Sequence, residues 1–334
     1  MRAMVLERQA DIDSAPLVWR DLPDPEPGQG EVRLRVRCCA VCRTDLHVIE
    51  GDLPARGLPR VPGHQVVGIV EALGSDCAEL RVGDRVGVAW LRHTCGTCAF
   101  CRGGRENLCE AATFTGYHAD GGYAELAVVP EAFAYRIPDA FEDNAAAPLL
   151  CAGIIGYRAL QRAEVPPGGT LALYGFGGSA HVVIQIARAR GLRVLVVSRD
   201  ARHAALAKRL GADWVGPDAA DMPGLVDGAI LFAPVGHLVP VALTHLQKGG
   251  TLALAGIHMT DTPPLHYETH LFYEKNIRSV TANTRADGQA LLAEAAAVPV
   301  RPHVRRYPLH EANIALQDLK HDRMQGSGVL VVGA

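Results

Sequence analysis

Four cysteines lie close together in the segment HTCGTCAFCRGGRENLC, with the spacing C-x2-C-x2-C-x7-C. Two-residue gaps allow a turn to point successive thiolates at one ion, and the longer gap closes a lobe around it. Four thiolates with no open coordination position are typical of a structural zinc site, which stabilises a loop and performs no reaction itself. The predicted ligands of this site are Cys95, Cys98, Cys101 and Cys109.

An iron–sulfur cluster is the main alternative for these thiolates, and four unrelated buried thiols are a weaker one. The usual cluster-binding run ends in a short gap followed by proline. Here the last gap has seven residues, and Glu110 follows Cys109. The spacing therefore favours zinc over iron.

Three more residues with metal-binding side chains are spread along the chain: Cys42 in AVCRTDLH, His64 in VPGHQVVG and Cys151 in PLLCAGIIGYRAL. Each is weak evidence alone, because a histidine after glycine is commonly a turn residue and a cysteine in an apolar run is commonly core. Together they offer two thiolates and one imidazole. A hydroxyl, a carboxylate and a second imidazole stand beside the first cysteine, at Thr44, Asp45 and His47.

The segment GFGGSA (175–180) has the residues of a dinucleotide-binding loop. It follows an apolar run of strand character and opens a run with helical spacing, which is the context that such a motif requires. Gly175 allows the tight turn, Gly177 lets the backbone approach a pyrophosphate, and Ala180 takes the helix-packing position. Gly178 is a further candidate contact, since amides at a helix N-terminus face the phosphates. A plain strand-to-helix turn is the alternative.

The hydrophobic pattern of the surrounding elements changes period along the 334 residues, which is a length that favours two domains. Up to about residue 150, short alternating runs separated by turns predict an antiparallel β domain in the form of a partly open barrel. From about 150 to 285, apolar strands alternate with helices, which predicts βαβ units and a parallel sheet. The clearest runs are EVRLRVRCCAV (31–41), QVVGIVEAL (65–73), DRVGVAWL (84–91), YAELAVV (123–129), GTLALYG (169–175) and SAHVVIQIARARG (179–191).

Two helices are predicted outside these regular runs. The apolar stretch AAAPLLCAGIIGYRAL (145–160) should form one helix that joins the domains, and YPLHEANIALQDLKHDR (307–323) should form another. The final segment GSGVLVVGA (326–334) should close the chain as a strand.

Composition excludes several classes of protein. With 49% hydrophobic and 21% charged residues, the chain is neither disordered nor a membrane bundle, and a net charge of -3 makes nucleic acid a poor partner. No apolar run reaches the length of a spanning helix, and the N-terminus has no secretory signal, so we expect a cytoplasmic protein. Nine cysteines in that compartment indicate metal binding rather than a disulfide framework.

In these motifs and their order, the chain resembles the zinc-dependent medium-chain alcohol dehydrogenases over nearly its whole length. The resemblance rests on CRTDLH (42–47), Gly63-His64, the four-cysteine segment, DGGYAE (120–125), Cys151 and GFGGSA (175–180). It implies an α/β fold with a GroES-like β-barrel catalytic domain and a Rossmann domain with a doubly wound parallel sheet. The corresponding boundaries are 1–149 with 286–334 for the first domain and 150–285 for the second.

The resemblance also implies roles for the scattered residues. Cys42, His64 and Cys151 would hold a catalytic zinc whose open position takes the substrate and lowers the pKa of a bound alcohol. Thr44 would take the alcohol proton, the cofactor ribose would pass it on, and His47 would deliver it to water, since imidazole titrates near neutral pH. Three further residues would act around the zinc and the cofactor. Asp45 would orient the ligand histidine, Arg43 would contact the cofactor pyrophosphate, and Arg285 would make another cofactor contact.

The nicotinamide cofactor is predicted to be NADP rather than NAD. By resemblance, Ser198 takes the position at which NAD-preferring relatives carry aspartate, and Arg199 follows it. A hydroxyl and a guanidinium suit a ribose 2′-phosphate, which an acid would repel, and His203 and Arg202 could add donors. The carboxylate of Asp200 weakly favours NAD. The remaining alternative is that Arg199 is only a solvated surface residue.

One position departs from the family pattern, in which Gly-His is followed by glutamate. Here Gln65 follows His64. The family's acid sits behind the zinc, so a neutral amide removes a negative charge there. The hypothesis is that the zinc becomes more electrophilic and the pKa of its bound water falls; a weakened zinc site is the alternative.

The predicted activity is the reversible oxidation of primary and secondary alcohols, aliphatic or aromatic, to aldehydes and ketones. Leu53, Trp90 and Tyr117 are predicted to line an apolar substrate pocket, with an ordinary place in the core as the alternative. An NAD-linked enzyme of another alcohol class and a catalytically idle dinucleotide-binding relative are the alternatives. The partners expected are small-molecule substrates and further copies of the chain, in a homodimer or homotetramer.

Overall fold

The computed structural model describes residues Met1–Gly333, which divide into two compact units. The first unit comprises Met1–Cys151, Ala282–Ala296 and the residues from Pro302 onward. The second comprises Ala152–Thr281 and Ala297–Arg301. Across residues 1–333, none of the helices has the length and apolar character that crossing a bilayer requires.

The regular elements are numbered in chain order. The strands are β1 Arg2–Leu6, β2 Leu17–Asp21, β3 Glu31–Val41, β4 Gln65–Leu73, β5 Arg85–Val88, β6 Leu91–His93, β7 Thr113–Phe114, β8 Leu126–Pro130, β9 Ala134–Arg136, β10 Thr170–Tyr174, β11 Arg193–Val197, β12 Trp214–Gly216, β13 Val226–Leu231, β14 Leu246–Leu254, β15 Asn276–Ser279, β16 Val304–Pro308 and β17 Ser327–Val331. The α-helices are α1 Arg43–Glu50, α2 Ala99–Arg102, α3 Asp143–Ala146, α4 Ala152–Ala163, α5 Ala180–Ala189, α6 Ala201–Arg209, α7 Leu238–Thr244, α8 Tyr267–His270, α9 Arg285–Ala297 and α10 Ala312–Lys320. Single turns of 3-10 helix lie at Ile12–Ser14, Glu106–Leu108, Glu131–Phe133, Ala147–Leu150, Ala219–Asp221 and Leu309–Glu311.

The first unit is built on a mixed sheet in the order β16-β17-β3-β4-β5-β9, with β8 also paired to β3. Only the β16–β17 pair is parallel within this sheet; the other pairs are antiparallel. Along β3 the predicted alternation holds up to Arg37, after which Cys38–Val41 are all buried. Apolar side chains such as Met4, Leu34, Ile49 and Val66 form the core of the unit, and burying each stabilises it by about 1.5–3 kcal/mol.

The second unit carries a wholly parallel sheet in the order β12-β11-β10-β13-β14-β15. Counted from β10, this is the order 3-2-1-4-5-6 of a doubly wound dinucleotide-binding sheet. The order reverses between β10 and β13, and ligands of such sheets bind at the carboxyl ends of the strands at that point. The predicted doubly wound parallel sheet is therefore confirmed.

The predicted joining helix over 145–160 is wrong, because the structure breaks it at Cys151. Helix α3 passes into a 3-10 turn that contains Pro148, and Cys151 then has φ -136° and ψ -67°, outside the helical region. Helix α4 begins only at Ala152. Proline removes a helical amide donor, and the backbone of Cys151 separates the 3-10 turn from α4.

The predicted helix over 307–323 is also shorter than expected. Tyr307 and Pro308 end β16, and α10 starts at Ala312. The Tyr307 ring is buried, and its hydroxyl donates to the Asp318 carboxylate at 2.9 Å. This long-range contact holds the tyrosine in the sheet, which the local periodicity did not indicate.

Candidate active site

The side chains of Cys42, His64 and Cys151 converge in the first unit. Their ligand atoms all lie within 4.8 Å of one another. Cys42 Sγ is 3.3 Å from His64 Nε2 and 3.9 Å from Cys151 Sγ. Two thiolates at about 2.3 Å from a tetrahedral zinc lie about 3.8 Å apart, so the donor set fits a zinc ion with three protein ligands. We refer to these three residues as the Cys2His cluster.

Strand pairing brings the first two donors together. The pairing of β3 with β4 places Ala40 opposite Gln65, so the residues just past that end of each strand, Cys42 and His64, become neighbours. Gly63 allows the chain to enter β4 there, since it has φ +94° and a Cβ would lie 2.3 Å from the Tyr123 ring. A side chain at residue 63 would therefore displace the backbone that carries the histidine.

The Asp45 carboxylate ties these two segments to each other. One of its oxygens lies 3.1 Å from His64 Nδ1, and the other accepts the backbone N–H of Cys42 at 2.8 Å. Asp45 and His64 are both about 1% exposed. A buried carboxylate on the far ring nitrogen sets the histidine tautomer and leaves Nε2 directed at the cysteine sulfurs.

The ionisable groups of the cluster hold their protons tightly. The hydrogen bond to Cys151 and burial raise the pKa of the Cys42 thiol well above its usual value. Burial disfavours the charged form of His64, but the Asp45 carboxylate and Cys42 outweigh it and raise the pKa of His64 to about 10. Metal binding needs thiolates and a neutral imidazole, so a cation entering this cluster would displace protons from it.

Helix α1 presents the other predicted catalytic side chains from the same chain segment. Thr44 is buried in its first turn, and His47 lies one turn further on, on the same face. His47 Nδ1 lies 2.7 Å from Asp52 Oδ2, a partner that the sequence did not predict. Gln65 is buried at the start of β4, directly beside the ligand histidine.

Tyr123 is a further residue of this region that the sequence analysis did not select. Its ring is fully buried and packs against Gly63. Burial, followed by the charge of Asp45, raises the pKa of Tyr123 well above its usual value. The signal for it lay in the DGGYAE segment, which the sequence analysis used only as a family motif.

An aromatic wall lies against the Cys2His cluster, and it includes the three predicted pocket residues. The Trp90 ring meets the His64 ring edge-on at 4.9 Å and stacks with Phe114 at 5.0 Å and Tyr117 at 5.8 Å. Val48 belongs to the same cluster, and Leu53 packs against it. Phe114 and Val48 were not predicted as pocket residues.

The four predicted structural ligands also converge, in a separate part of the first unit that we call the four-cysteine lobe. Sulfur–sulfur distances are 3.6 Å for Cys95–Cys109, 3.9 Å for Cys95–Cys101 and 3.5 Å for Cys98–Cys101. These values match a tetrahedral zinc with four thiolates. Backbone donors at Thr97 and Cys98 lower the pKa of Cys95 to about 6, which favours the thiolate that a metal needs.

Arg285, predicted as a cofactor contact, lies at the four-cysteine lobe. Its backbone N–H donates to Glu106 Oε1 at 3.0 Å, and its Nε lies 3.4 Å from the same oxygen. Its guanidinium lies over the Phe133 ring at 4.8 Å. These contacts hold the side chain against the lobe, and its role as a cofactor contact stays a prediction.

The glycine loop of the second unit has the conformation expected of it. Gly175 follows β10 with φ +91°, and a Cβ on Gly177 would meet no atom within 4 Å. Ala180 begins α5 and is fully buried, as its helix-packing position requires. Gly178 lies between them, and the loop stands at the switch point of the sheet. Open space above Gly177 allows a phosphate to approach the backbone.

The predicted 2′-phosphate residues follow strand β11. Ser198 is half-buried and Arg199 is exposed. Asp200 is engaged by its own helix: it accepts the backbone N–H groups of Arg202 and His203 and pairs with the Arg202 guanidinium at 2.8 Å. That pairing is the main cause of the strongly lowered pKa of Asp200.

Arg43, the predicted pyrophosphate contact, starts helix α1 and is half-exposed. Its guanidinium pairs with the Asp322 carboxylate at 2.9 Å within the first unit. Surface pairs of this kind contribute about 0–1 kcal/mol, so the arginine can exchange this partner for an anionic ligand.

Two family models match the chain, that of the alcohol dehydrogenase GroES-like domain over residues 28–139 and that of zinc-binding dehydrogenases over residues 178–297. A probable alcohol dehydrogenase of Mycobacterium tuberculosis is 52% identical over 99% of this chain and 97% of its own. An alcohol dehydrogenase of Geobacillus stearothermophilus is 37% identical over 99% of this chain and 100% of its own.

Among solved structures, a cinnamyl alcohol dehydrogenase of Sorghum bicolor superimposes with a TM-score of 0.89 at 30% identity, covering 99% of this chain and 97% of that one. Together with the sheet order, these similarities confirm the predicted fold class, a GroES-like domain with a Rossmann-type domain.

Proposed function

Because the chain belongs to the family of zinc-binding, medium-chain alcohol dehydrogenases, we propose that it oxidises primary and secondary alcohols reversibly to aldehydes and ketones with NADP in preference to NAD. The observation that carries the proposal is the convergence of Cys42, His64 and Cys151 beside Thr44 and an aromatic wall. This arrangement joins a three-ligand metal site to a proton acceptor and an apolar surface for substrate.

Each chain would hold two zinc ions. The ion in the Cys2His cluster, with one position open, would supply Lewis-acid polarisation of the substrate oxygen. The ion in the four-cysteine lobe would have a closed set of thiolates and a structural role. The first unit would then act as the catalytic domain and the second as the dinucleotide-binding domain.

The side chains around the cluster would manage the proton and the orientation of the ligands. Asp45 would hold the His64 ring through Nδ1, as its 3.1 Å contact allows. The Thr44 hydroxyl would accept the proton of the substrate hydroxyl, and the His47 imidazole would deliver it to water. Leu53, Trp90 and Tyr117 would line the substrate pocket, and the stacked rings favour planar or aromatic substrates.

The preference for NADP rests on the groups that follow β11. The Ser198 hydroxyl, the exposed Arg199 and the His203 imidazole are donors for a 2′-phosphate. Asp200, the acid that would bind an NAD ribose, already caps α6 and pairs with Arg202. Gly175, Gly177, Gly178, Ala180 and Arg43 would hold the pyrophosphate.

The test is kcat/KM for NADPH and for NADH with one broadly accepted aldehyde at one pH. We expect a preference for NADPH of at least about tenfold, or about 1.4 kcal/mol. Arg199→Gln should remove most of it, whereas Arg209→Gln, at the far end of α6, should not. A preference for NADH would refute the assignment and favour Asp200 as the ribose ligand. No activity with either cofactor, with one zinc per chain, would favour an idle dinucleotide-binding relative.

The assembly is proposed to be a homodimer or homotetramer, in a cytoplasmic setting. Edge strand β15 and the residues before it expose large apolar side chains, among them Phe272, Tyr273 and Ile277. An exposed apolar strand edge favours association with another chain. Light scattering that finds a monomer at micromolar concentration would contradict the oligomer.

A further inference from the structure

The aromatic wall beside the Cys2His cluster has a polar group at Tyr117. Trp90 contacts the His64 ring on one side and stacks on the Tyr117 ring at 5.8 Å on the other. The Tyr117 hydroxyl donates to the Pro54 carbonyl at 2.8 Å and accepts the Nε–H of Arg56 at 3.4 Å. The wall therefore connects the ligand histidine to a guanidinium through two stacked rings.

The positive charge of Arg56 is not balanced by a carboxylate of the chain. The side chain is exposed, and within residues 1–333 its hydrogen bond to Tyr117 is accompanied by no ion pair. Two acids of this region have other partners: Asp52 lies 2.7 Å from the His47 ring, and Asp120 accepts from the Arg60 guanidinium at 2.9 Å. Arg56 is therefore available to an anion that enters from outside.

His118 packs against the same tyrosine without adding a second cation. Its ring meets the Tyr117 ring edge-on at 4.6 Å, and its Nδ1 accepts the backbone N–H of Phe114 at 3.3 Å. Burial, followed by the charges of Arg56 and Arg60, lowers the pKa of His118 below its usual value. The imidazole is therefore neutral at neutral pH, and the positive charge beside Tyr117 is that of Arg56.

We propose that the pocket takes planar alcohols and aldehydes that carry a carboxylate at the end remote from the reacting oxygen, and that Arg56 binds this carboxylate as a specificity-determining residue. The guanidinium presents a planar fork of N–H donors that matches the two oxygens of a carboxylate. The bond from Nε to Tyr117 orients this fork beside the rings that would stack on the substrate. The carboxylate takes no part in the reaction and only positions the hydroxyl. The inference rests on the alcohol dehydrogenase activity given in the proposed function.

The test compares two substrates of the same shape, 4-(hydroxymethyl)benzoate and its neutral amide, 4-(hydroxymethyl)benzamide. At low ionic strength we expect kcat/KM to favour the acid by about tenfold, and added salt should reduce this ratio because Arg56 is exposed. Arg56→Gln should abolish the ratio by raising KM for the acid with kcat nearly unchanged, since the contact is the same before and during the reaction. Arg56→Lys should retain part of the ratio, because it keeps the charge but not the fork.

The control is Arg81→Gln, which removes an exposed arginine between β4 and β5 and should leave the ratio unchanged. If Arg56→Gln lowers kcat/KM equally for the acid and the amide, the arginine only supports Tyr117 and the inference is wrong. If the wild-type protein oxidises benzyl alcohol but does not prefer the acid to the amide, the inference alone is wrong. If it oxidises none of the three alcohols, the proposed function fails and the inference fails with it.

Discussion

The donor atoms of the four-cysteine lobe come from residues at most 14 positions apart, whereas those of the Cys2His cluster come from residues up to 109 positions apart. The lobe is a local structure, shaped by turns between neighbouring cysteines. The cluster exists only when β3, β4 and the break at Cys151 are all in place. The two proposed zinc sites therefore follow two designs, one formed by local turns and the other by the fold.

The residues that surround the two sites differ as well. Around the lobe the contacts are structural, such as Arg285 with Glu106. Around the cluster lie a buried carboxylate on His64, a threonine on α1 and a stack of aromatic rings. A site assembled by the fold can place unlike groups from distant segments side by side, and this is what catalysis requires.

The largest expected effect is on activity, from a ligand of the cluster. Cys42→Ser should lower kcat/KM by about 10³-fold or more, since the Lewis acid contributes several kcal/mol to the transition state. The zinc content should fall from two to one per chain, with little change in melting temperature. Elemental analysis, kinetics and calorimetry on one preparation would check this. A variant that keeps activity within tenfold of wild type would remove the cluster from the mechanism.

The same substitution in the lobe should act on stability. Cys98→Ser should also cost one zinc, but the expected result is a melting temperature lower by about 5 °C, because a structural zinc contributes to folding free energy. The folded fraction should retain kcat and KM. Equal losses of activity in Cys98→Ser and Cys42→Ser would show that the two sites are not separated as proposed.

The third prediction has an effect of intermediate size and concerns the cluster alone. Asp45→Asn keeps the shape of the side chain but removes the charge that holds His64, so we expect kcat/KM or zinc affinity to fall about 10- to 100-fold. Asp318→Asn is the matched control, because Asp318 is also buried and bonded to Tyr307. It should lower the melting temperature without changing zinc affinity. If both variants lose zinc equally, the role of Asp45 is structural.

The sequence predicts the lobe more completely than the cluster for physical reasons. The spacing of Cys95, Cys98, Cys101 and Cys109 carries the geometry of the lobe within it. Strands β3 and β4 were predicted with their observed bounds, because alternation and flanking turns are local signals. The cluster was predicted only through the family resemblance, since nothing in the spacing of Cys42, His64 and Cys151 shows that the fold brings them together.

The errors fall where a tertiary contact overrides a local pattern. The run 145–160 is helical by periodicity, yet Cys151 leaves the helix where its sulfur meets Cys42. Asp52 was not selected, because its contact with His47 depends on the positive φ of Gly51 and on the hydrogen bond that Gln9 donates to the Val48 carbonyl.

The smallest expected effect concerns Gln65, which follows the ligand histidine and is buried beside it. If the neutral amide leaves the cluster more electrophilic than a carboxylate would, Gln65→Glu adds a negative charge and disfavours loss of the substrate proton. The pH–rate profile of alcohol oxidation should then move to higher pH by about one unit, which is the usual scale on which a folded environment shifts a side-chain pKa. The profile is measured as kcat/KM against pH, with Gln247→Glu, an exposed position, as the control.

A profile that does not move in Gln65→Glu, in protein that keeps its full zinc content and melting temperature, would refute the electrophilicity hypothesis. If the wild-type protein instead loses zinc from the cluster and Gln65→Glu restores it, the glutamine weakens metal binding there. The substitution would then bring the zinc affinity of the cluster closer to that of the lobe.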